Sequence, residues 1–118
     1  MRIVKMTMVS FILLMIALPL YAGGRLTYYC STDIPWCELM KKEFEKRTGI
    51  RVSMTRASSG ETLTKIRAEK SNPKGDVWWG GTGDPHLQAA EEGLTQAYNS
   101  PKLGELHEWA KSPHQATG

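Results

Sequence analysis

Asp76-Val77-Trp78-Trp79-Gly80-Gly81-Thr82-Gly83-Asp84-Pro85-His86 is the stretch on which the fold turns. Val77, Trp78 and Trp79 form a β-branched and aromatic run that predicts the end of a buried strand. Three glycines in four positions, Gly80, Gly81 and Gly83, then allow a sharp turn and a close approach of backbone to ligand. Asp84 is expected to cap a following helix, with Pro85 at its first position, where a missing N–H costs nothing. Leu87, Ala90 and Leu94 continue at the spacing of one helix face. Strand, glycine turn and helix start gather free backbone N–H groups at one spot, the geometry of an anion site. The competing reading of this stretch alone is a tight βα turn that binds nothing. Two earlier loops of the same design favour the functional reading.

Residues 1–22 read as a secretory leader. Arg2 and Lys5 supply the positive start, residues 8–18 are apolar apart from Ser10, and Ala22 offers a small residue for cleavage. The apolar run is shorter than the roughly 20 residues a membrane span needs, and no cysteine follows it to carry a lipid. The expected mature protein is therefore exported and soluble, and residues 23–118 are enough for one small core. The formal charge of +3 owes much to the leader, since removing Arg2 and Lys5 leaves thirteen basic against twelve acidic residues. No basic run with interleaved aromatics appears, so no nucleic-acid partner is expected. Cys30 and Cys37 are the only cysteines, and in an exported chain such a pair predicts a disulfide. Closing its loop is worth roughly 2–3 kcal/mol on the chain-entropy model. Two cysteines without paired histidines make a poor metal site.

Taken in order, Arg25–Cys30 alternates as a strand, with Leu26, Tyr28 and Cys30 on one face. Ser31-Thr32-Asp33 supplies cap candidates for a helix with Pro35 in its first turn and an apolar stripe of Trp36, Met40 and Phe44 suited to the core. Trp36 is the exception to watch, because the first turn faces the same end as the preceding loop. Gly49 is expected to close that helix. Residues 50–55 alternate as a second strand, and Ser58 with Glu61 spells a capping box for a second helix running to about Lys70. A third strand over residues 76–79 and a third helix ending at Gly93 follow, with Leu94 placed for a Schellman contact. Leu103, Leu106 and Trp109 or Ala110 predict a short fourth helix before Ser112-Pro113. His107 and His114 read as solvated surface residues.

Alternating strands and helices imply an α/β fold, a parallel sheet in a three-layer α/β/α arrangement. Ligands of such sheets sit beyond the carboxyl ends of the strands. Three loops lie at that end: Ser31-Thr32, Ser58-Ser59-Gly60 and Gly80-Gly81-Thr82. Each sets hydroxyls or bare N–H groups at a helix start, where the helix dipoles favour an anionic or strongly polar ligand.

These residues resemble a known family. Tyr-Cys-Ser at 29–31, Phe-Glu-Lys-Arg-Thr-Gly-Ile at 44–50, Ser-Ser-Gly-Glu-Thr-Leu at 58–63, Pro-Lys-Gly-Asp-Val-Trp-Trp-Gly-Gly at 73–81 and Ala-Ala-Glu-Glu-Gly-Leu at 89–94 carry the likeness. Together they look like the N-terminal lobe of family 1 periplasmic solute-binding proteins, the ferric-iron, thiamine and phosphonate cluster serving ATP-binding-cassette (ABC) importers. The resemblance implies part of a type 2 periplasmic-binding-protein fold, in which two lobes close on a small-molecule or ion solute and deliver it to a membrane permease. It carries ligand contact onto Ser31, Thr32, Ser58, Ser59, Gly60, Gly80, Gly81 and, through the same loop, Thr82. Family members are roughly 300 residues or longer, so the remaining strands, hinge and second lobe are expected to be absent here.

Ferric-iron binders of the family take tyrosines from the second lobe and a His or Glu from loops like these. Here the loops offer mainly N–H and O–H donors, while hard cations want oxygen or imidazole ligands. An oxyanion-bearing solute, phosphorylated or carboxylated, is the favoured cargo over ferric iron. Asp84 and His86 are possible metal ligands, with the helix cap the better reading of Asp84. No catalytic residue and no cofactor is expected. A competing exported hydrolase lacks a G-x-S-x-G elbow, and a dinucleotide enzyme lacks G-x-G-x-x-G. A non-binding remnant of a truncated gene is the other alternative.

Overall fold

The computed structural model describes residues 23–117, so the leader expected over residues 1–22 lies outside the described residues. The elements are β1 (Arg25–Cys30), α1 (Ile34–Thr48), β2 (Arg51–Arg56), α2 (Ser59–Ala68), β3 (Val77–Trp79), α3 (Gly83–Glu91), a 3-10 turn (Leu103–Glu105) and α4 (Glu108–Thr117). The three strands pair in the order β2-β1-β3, and both pairings are parallel. This is the α/β arrangement expected from the alternation of strands and helices.

β1 therefore lies at the centre, with Leu26 opposite Val52, Tyr28 opposite Met54 and Val77, and Cys30 opposite Arg56 and Trp79. Alternation sends Tyr28 and Cys30 to one face, where they form the core with Cys37 and Val52, flanked by Leu26, Met54 and Trp79. Helix α1 covers part of that face and is tied to β1 by the Cys30–Cys37 disulfide, with a Cα–Cα distance of 5.9 Å. The opposite face carries Tyr29 and Trp78. There the Tyr29 hydroxyl donates to Glu69 Oε2 at 2.8 Å, Lys65 Nζ stands 5.4 Å from the Tyr29 ring centroid, and an Arg67–Glu92 ion pair joins α2 to α3.

Several ends follow the local chemistry of the chain. Gly49 (φ 71°) closes α1, and its N–H donates to the Glu45 carbonyl. Ser58 forms the capping box with Glu61: Ser58 Oγ accepts from the Glu61 N–H, and Glu61 Oε2 accepts from the Ser58 N–H. At the end of α3, Gly93 (φ 66°) donates to Ala90 O at 3.0 Å and Leu94 donates to Ala89 O at 2.9 Å, the Schellman pattern.

Other expectations need correction. Helix α3 begins at Gly83 with extended Thr82 (φ −89°, ψ 151°) as its N-cap, so Asp84 is a first-turn residue and Pro85 is its third position. Asp84 makes no cap bond, though its carboxylate still faces the positive end of the helix dipole. Asp76 precedes β3 and braces it instead, its N–H donating to Thr27 O at 2.9 Å and its Oδ2 accepting from the Thr27 N–H at 2.7 Å. β2 starts at Arg51 and α2 stops at Ala68. The expected fourth helix is a 3-10 turn followed by α4, which runs past Ser112-Pro113; Pro113 removes one backbone bond without ending it.

The Trp36, Met40 and Phe44 stripe is also not core. Trp36 is 63% exposed, and Met40 and Phe44 are exposed too. Met40 and Phe44 line an apolar groove of about 200 Å³ together with Leu26, Tyr28, Val52, Val77 and Trp79. Periodicity reports that a helix face is suited to burial; among the described residues nothing covers this one. Among those residues, too, no helix is long and apolar enough to cross a membrane.

Candidate functional site

Parallel strands end on the same side, so the three β-to-α loops meet at one end of the sheet. Their contact is close. A Cβ added to Gly81 would stand 2.1 Å from Ser59 Oγ and 2.9 Å from Ser31 Cβ, and one added to Gly80 would stand 3.0 Å from Thr32 Cβ. The Thr82 N–H donates to Ser59 Oγ at 3.1 Å, joining the third loop to the second. The Ser31 N–H donates to Trp79 O at 3.0 Å, joining the first loop to the third. Gly80 (φ 79°) and Gly81 (φ 91°) hold consecutive left-handed conformations, which a side chain would strain, so only glycine lets these loops approach so nearly.

Each loop opens a helix, and the N–H groups of a helix's first turn have no intrahelical acceptor. Ser58 takes up one of them on α2. No side chain caps α1 or α3. Three positive helix ends thus face one small region. Arg56, the last residue of β2, adds a formal charge at its rim, with Nε donating to Thr32 O at 3.0 Å. Sequence reasoning passed over Arg56. Its signal was a basic residue at the carboxyl end of a strand, directly before Ser58-Ser59-Gly60.

The structure sorts the expected site residues by what their polar atoms already do. Thr32, Ser59, Gly80, Gly81 and Thr82 line the junction. Gly60 sits at the α2 start facing open space. Ser31 is buried, and its hydroxyl is occupied: it accepts from Trp78 Nε1 at 2.9 Å and shares a hydrogen bond with Thr62 Oγ1 at 3.0 Å. Ser58 Oγ is engaged with Glu61, to whose Oε2 it donates at 2.7 Å. Those bonds hold the Glu61 carboxyl below its usual range. His86 turns inward, stacking on Trp78 at 3.8 Å between centroids with Nε2 2.9 Å from Gly80 O. Among the described residues, no group of three or more His, Cys, Asp or Glu side chains is placed to hold a metal.

Such a junction suits recognition of an oxyanion by backbone N–H groups, hydroxyls and a guanidinium. Comparison with known proteins finds the chain similar to solute-binding proteins. A family model described as bacterial extracellular solute-binding protein matches residues 26–113. An uncharacterised protein of Haemophilus influenzae is 43% identical over 97 residues, covering 82% of this chain and 28% of that protein. The periplasmic binding protein P5PA superposes with a TM-score of 0.77 at 40% identity, over 81% of this chain and 31% of its own. The periplasmic binding protein AfuA from Actinobacillus pleuropneumoniae, solved with exogenous fructose-6-phosphate bound, gives 0.71 at 46% identity, over 74% and 27%. This chain thus spans 27–31% of the length of these relatives.

Proposed function

The chain belongs to the bacterial extracellular solute-binding proteins, and from that membership we propose that its three-loop junction holds the oxyanion of a small organic phosphate. Proteins of this family bind solutes rather than transform them. The convergence of three helix starts on Gly81 and Ser59 is the observation that supports this reading, because it gathers backbone and hydroxyl donors at one small region. The likeness to AfuA, 46% identical and solved with fructose-6-phosphate, points to the same ligand class.

In this reading Thr32, Ser59, Gly60, Gly80, Gly81 and Thr82 contact the solute, joined by Arg56. Ser31 and Ser58 serve from behind through the bonds their hydroxyls already make. The chain forms the N-terminal part of a capture component that works in the periplasm and hands its cargo to the permease of an ABC importer. One lobe supplies only part of a cleft, so affinity for the isolated chain is weak.

Thermal melts of the chain with fructose 6-phosphate, inorganic phosphate, citrate and ferric salts test the proposal. A ligand at 100 times its dissociation constant stabilises by about 2.7 kcal/mol, a readable shift. The expected result is a shift with the phosphates that disappears in Ser59→Ala. A shift with ferric salts alone would replace the proposal with the iron reading, and no shift with any solute at millimolar concentration would sink it.

A further inference from the structure

Trp78 and His86 sit behind the junction, and neither is a solute contact in the reading above. Trp78 lies on β3, paired with Tyr29 of the central strand. Its Nε1–H is a donor only, so Ser31 Oγ must accept it at 2.9 Å. Ser31 then has one hydrogen and one lone pair left for Thr62 Oγ1 at 3.0 Å. A single indole thus reaches the first loop through Ser31 and the second-loop helix through Thr62. The same indole stacks on His86 at 3.8 Å, with the ring planes 26° apart. His86 in turn meets the Gly80 carbonyl at 2.9 Å. A carbonyl only accepts, so Nε2 carries the proton, and a neutral His86 leaves Nδ1 bare.

The consequence falls on the glycine turn. Gly80 and Gly81 are the freest backbone positions of the junction, and two adjacent left-handed glycines do not fix their own orientation. Among the described residues no peptide bond is cis. With the Gly80 carbonyl held by His86, the Gly81 N–H of the same trans peptide points the opposite way, away from the ring pair. One bond therefore orients one of the donors assigned to the solute.

We propose that Trp78 and His86 are the positioning residues of the junction, with Trp78 fixing the three loops against one another and His86 Nε2–H setting the direction of the Gly81 N–H. This rests on the oxyanion reading for its purpose, though not for its test. The readout is amide hydrogen exchange and backbone resonances of the 118-residue chain without solute, followed by titration with inorganic phosphate and fructose 6-phosphate. His86→Phe keeps a stacking ring and removes the donor, whereas His86→Gln keeps an N–H donor in nearly the same place. Trp78→Phe keeps an aromatic ring toward His86, though a smaller one, and removes the bond to Ser31.

Loss of this hold on the turn predicts roughly tenfold faster exchange in His86→Phe at Thr82, whose N–H is bonded to Ser59 Oγ. The Gly80 and Gly81 resonances should shift in the same variant, with the β1 amides unchanged and recovery in His86→Gln. Trp78→Phe should shift the Ser31 and Thr62 resonances. In the unaltered chain the His86 ring nitrogens should report the Nε2–H form. Unmoved signals at residues 80–82 in His86→Phe would overturn the proposal, as would uniform loosening of the whole sheet or the Nδ1–H form. If the unaltered chain binds neither phosphate while the exchange pattern appears as expected, the oxyanion reading fails and the positioning role stands.

Discussion

Replacing Gly81 by Ala puts the geometry of the junction to a quantitative test. At φ 91° an L side chain is strained whatever the space around it, at a cost of about 1–3 kcal/mol. Its Cβ would also stand 2.1 Å from Ser59 Oγ, 2.9 Å from Ser31 Cβ and 3.1 Å from the Ser31 carbonyl. Ser59 can escape by rotating, which breaks its bond to the Thr82 N–H at about 1 kcal/mol. The Ser31 contacts lie at or beside the backbone of a buried residue and cannot move aside so easily. The sum is a loss of about 2–4 kcal/mol, or roughly 10–25 °C in melting temperature for a domain this small. Gly83→Ala is the control, because its Cβ would meet nothing within 4 Å at the start of α3. That change should be neutral or stabilise by about 0.4–1 kcal/mol. Melts of both variants by circular dichroism decide the matter. Gly81→Ala melting within two or three degrees of the unaltered chain would refute the packing argument, and equal losses in the two variants would refute its placement at Gly81.

Reduction of the Cys30–Cys37 disulfide, or Cys30→Ser with Cys37→Ser, reopens a loop of sequence separation 7. The expected loss is about 2.5 kcal/mol on the chain-entropy model, read as a lower melting temperature in reductant; an unchanged melt would show that the bond does not constrain the unfolded chain. Ser58→Ala should cost about 1 kcal/mol as a lost helix cap. It should also alter the acid limb of stability. Glu61 is held below its usual value by Ser58, so its contribution is present above the unfolded pKa and disappears as pH falls through the lower folded one. Urea melts between pH 7 and pH 3 should therefore show a shallower acid loss in Ser58→Ala than in the unaltered chain, and parallel profiles would contradict the assignment.

Features that rest on neighbouring residues were readable from the chain alone. Ser58 and Glu61 are three positions apart and cap α2 without help from elsewhere, and Gly49 and Gly93 end their helices by a local preference of glycine. Alternation located the first two strands, and the Val77–Trp79 aromatic run the third, each within a residue, and the family resemblance anticipated the fold. What escaped the sequence depends on distant partners. Ser31 reads as an available hydroxyl until Trp78, 47 residues away, is seen to occupy it. His86 reads as a possible metal ligand until its ring is found against Trp78 and the Gly80 carbonyl. The Trp36 stripe carries the pattern of a core helix, yet whether a pattern is covered depends on the rest of the fold.

The sheet order has a kinetic consequence. β1 precedes the other strands in the chain yet occupies the middle, so every strand pairing must reach back to it, across 26 residues for Arg25 and Arg51 and 49 for Tyr28 and Val77. β1 has no strand to pair with until β2 reaches it, and its second edge stays open until β3 arrives. Such non-local closure raises the contact order and slows folding relative to a helical bundle of the same length. The link between Cys30 and Cys37 acts against this delay. It spans a sequence separation of only 7, so once oxidised it fastens α1 to the end of β1 and shortens the search that remains for the neighbouring strands.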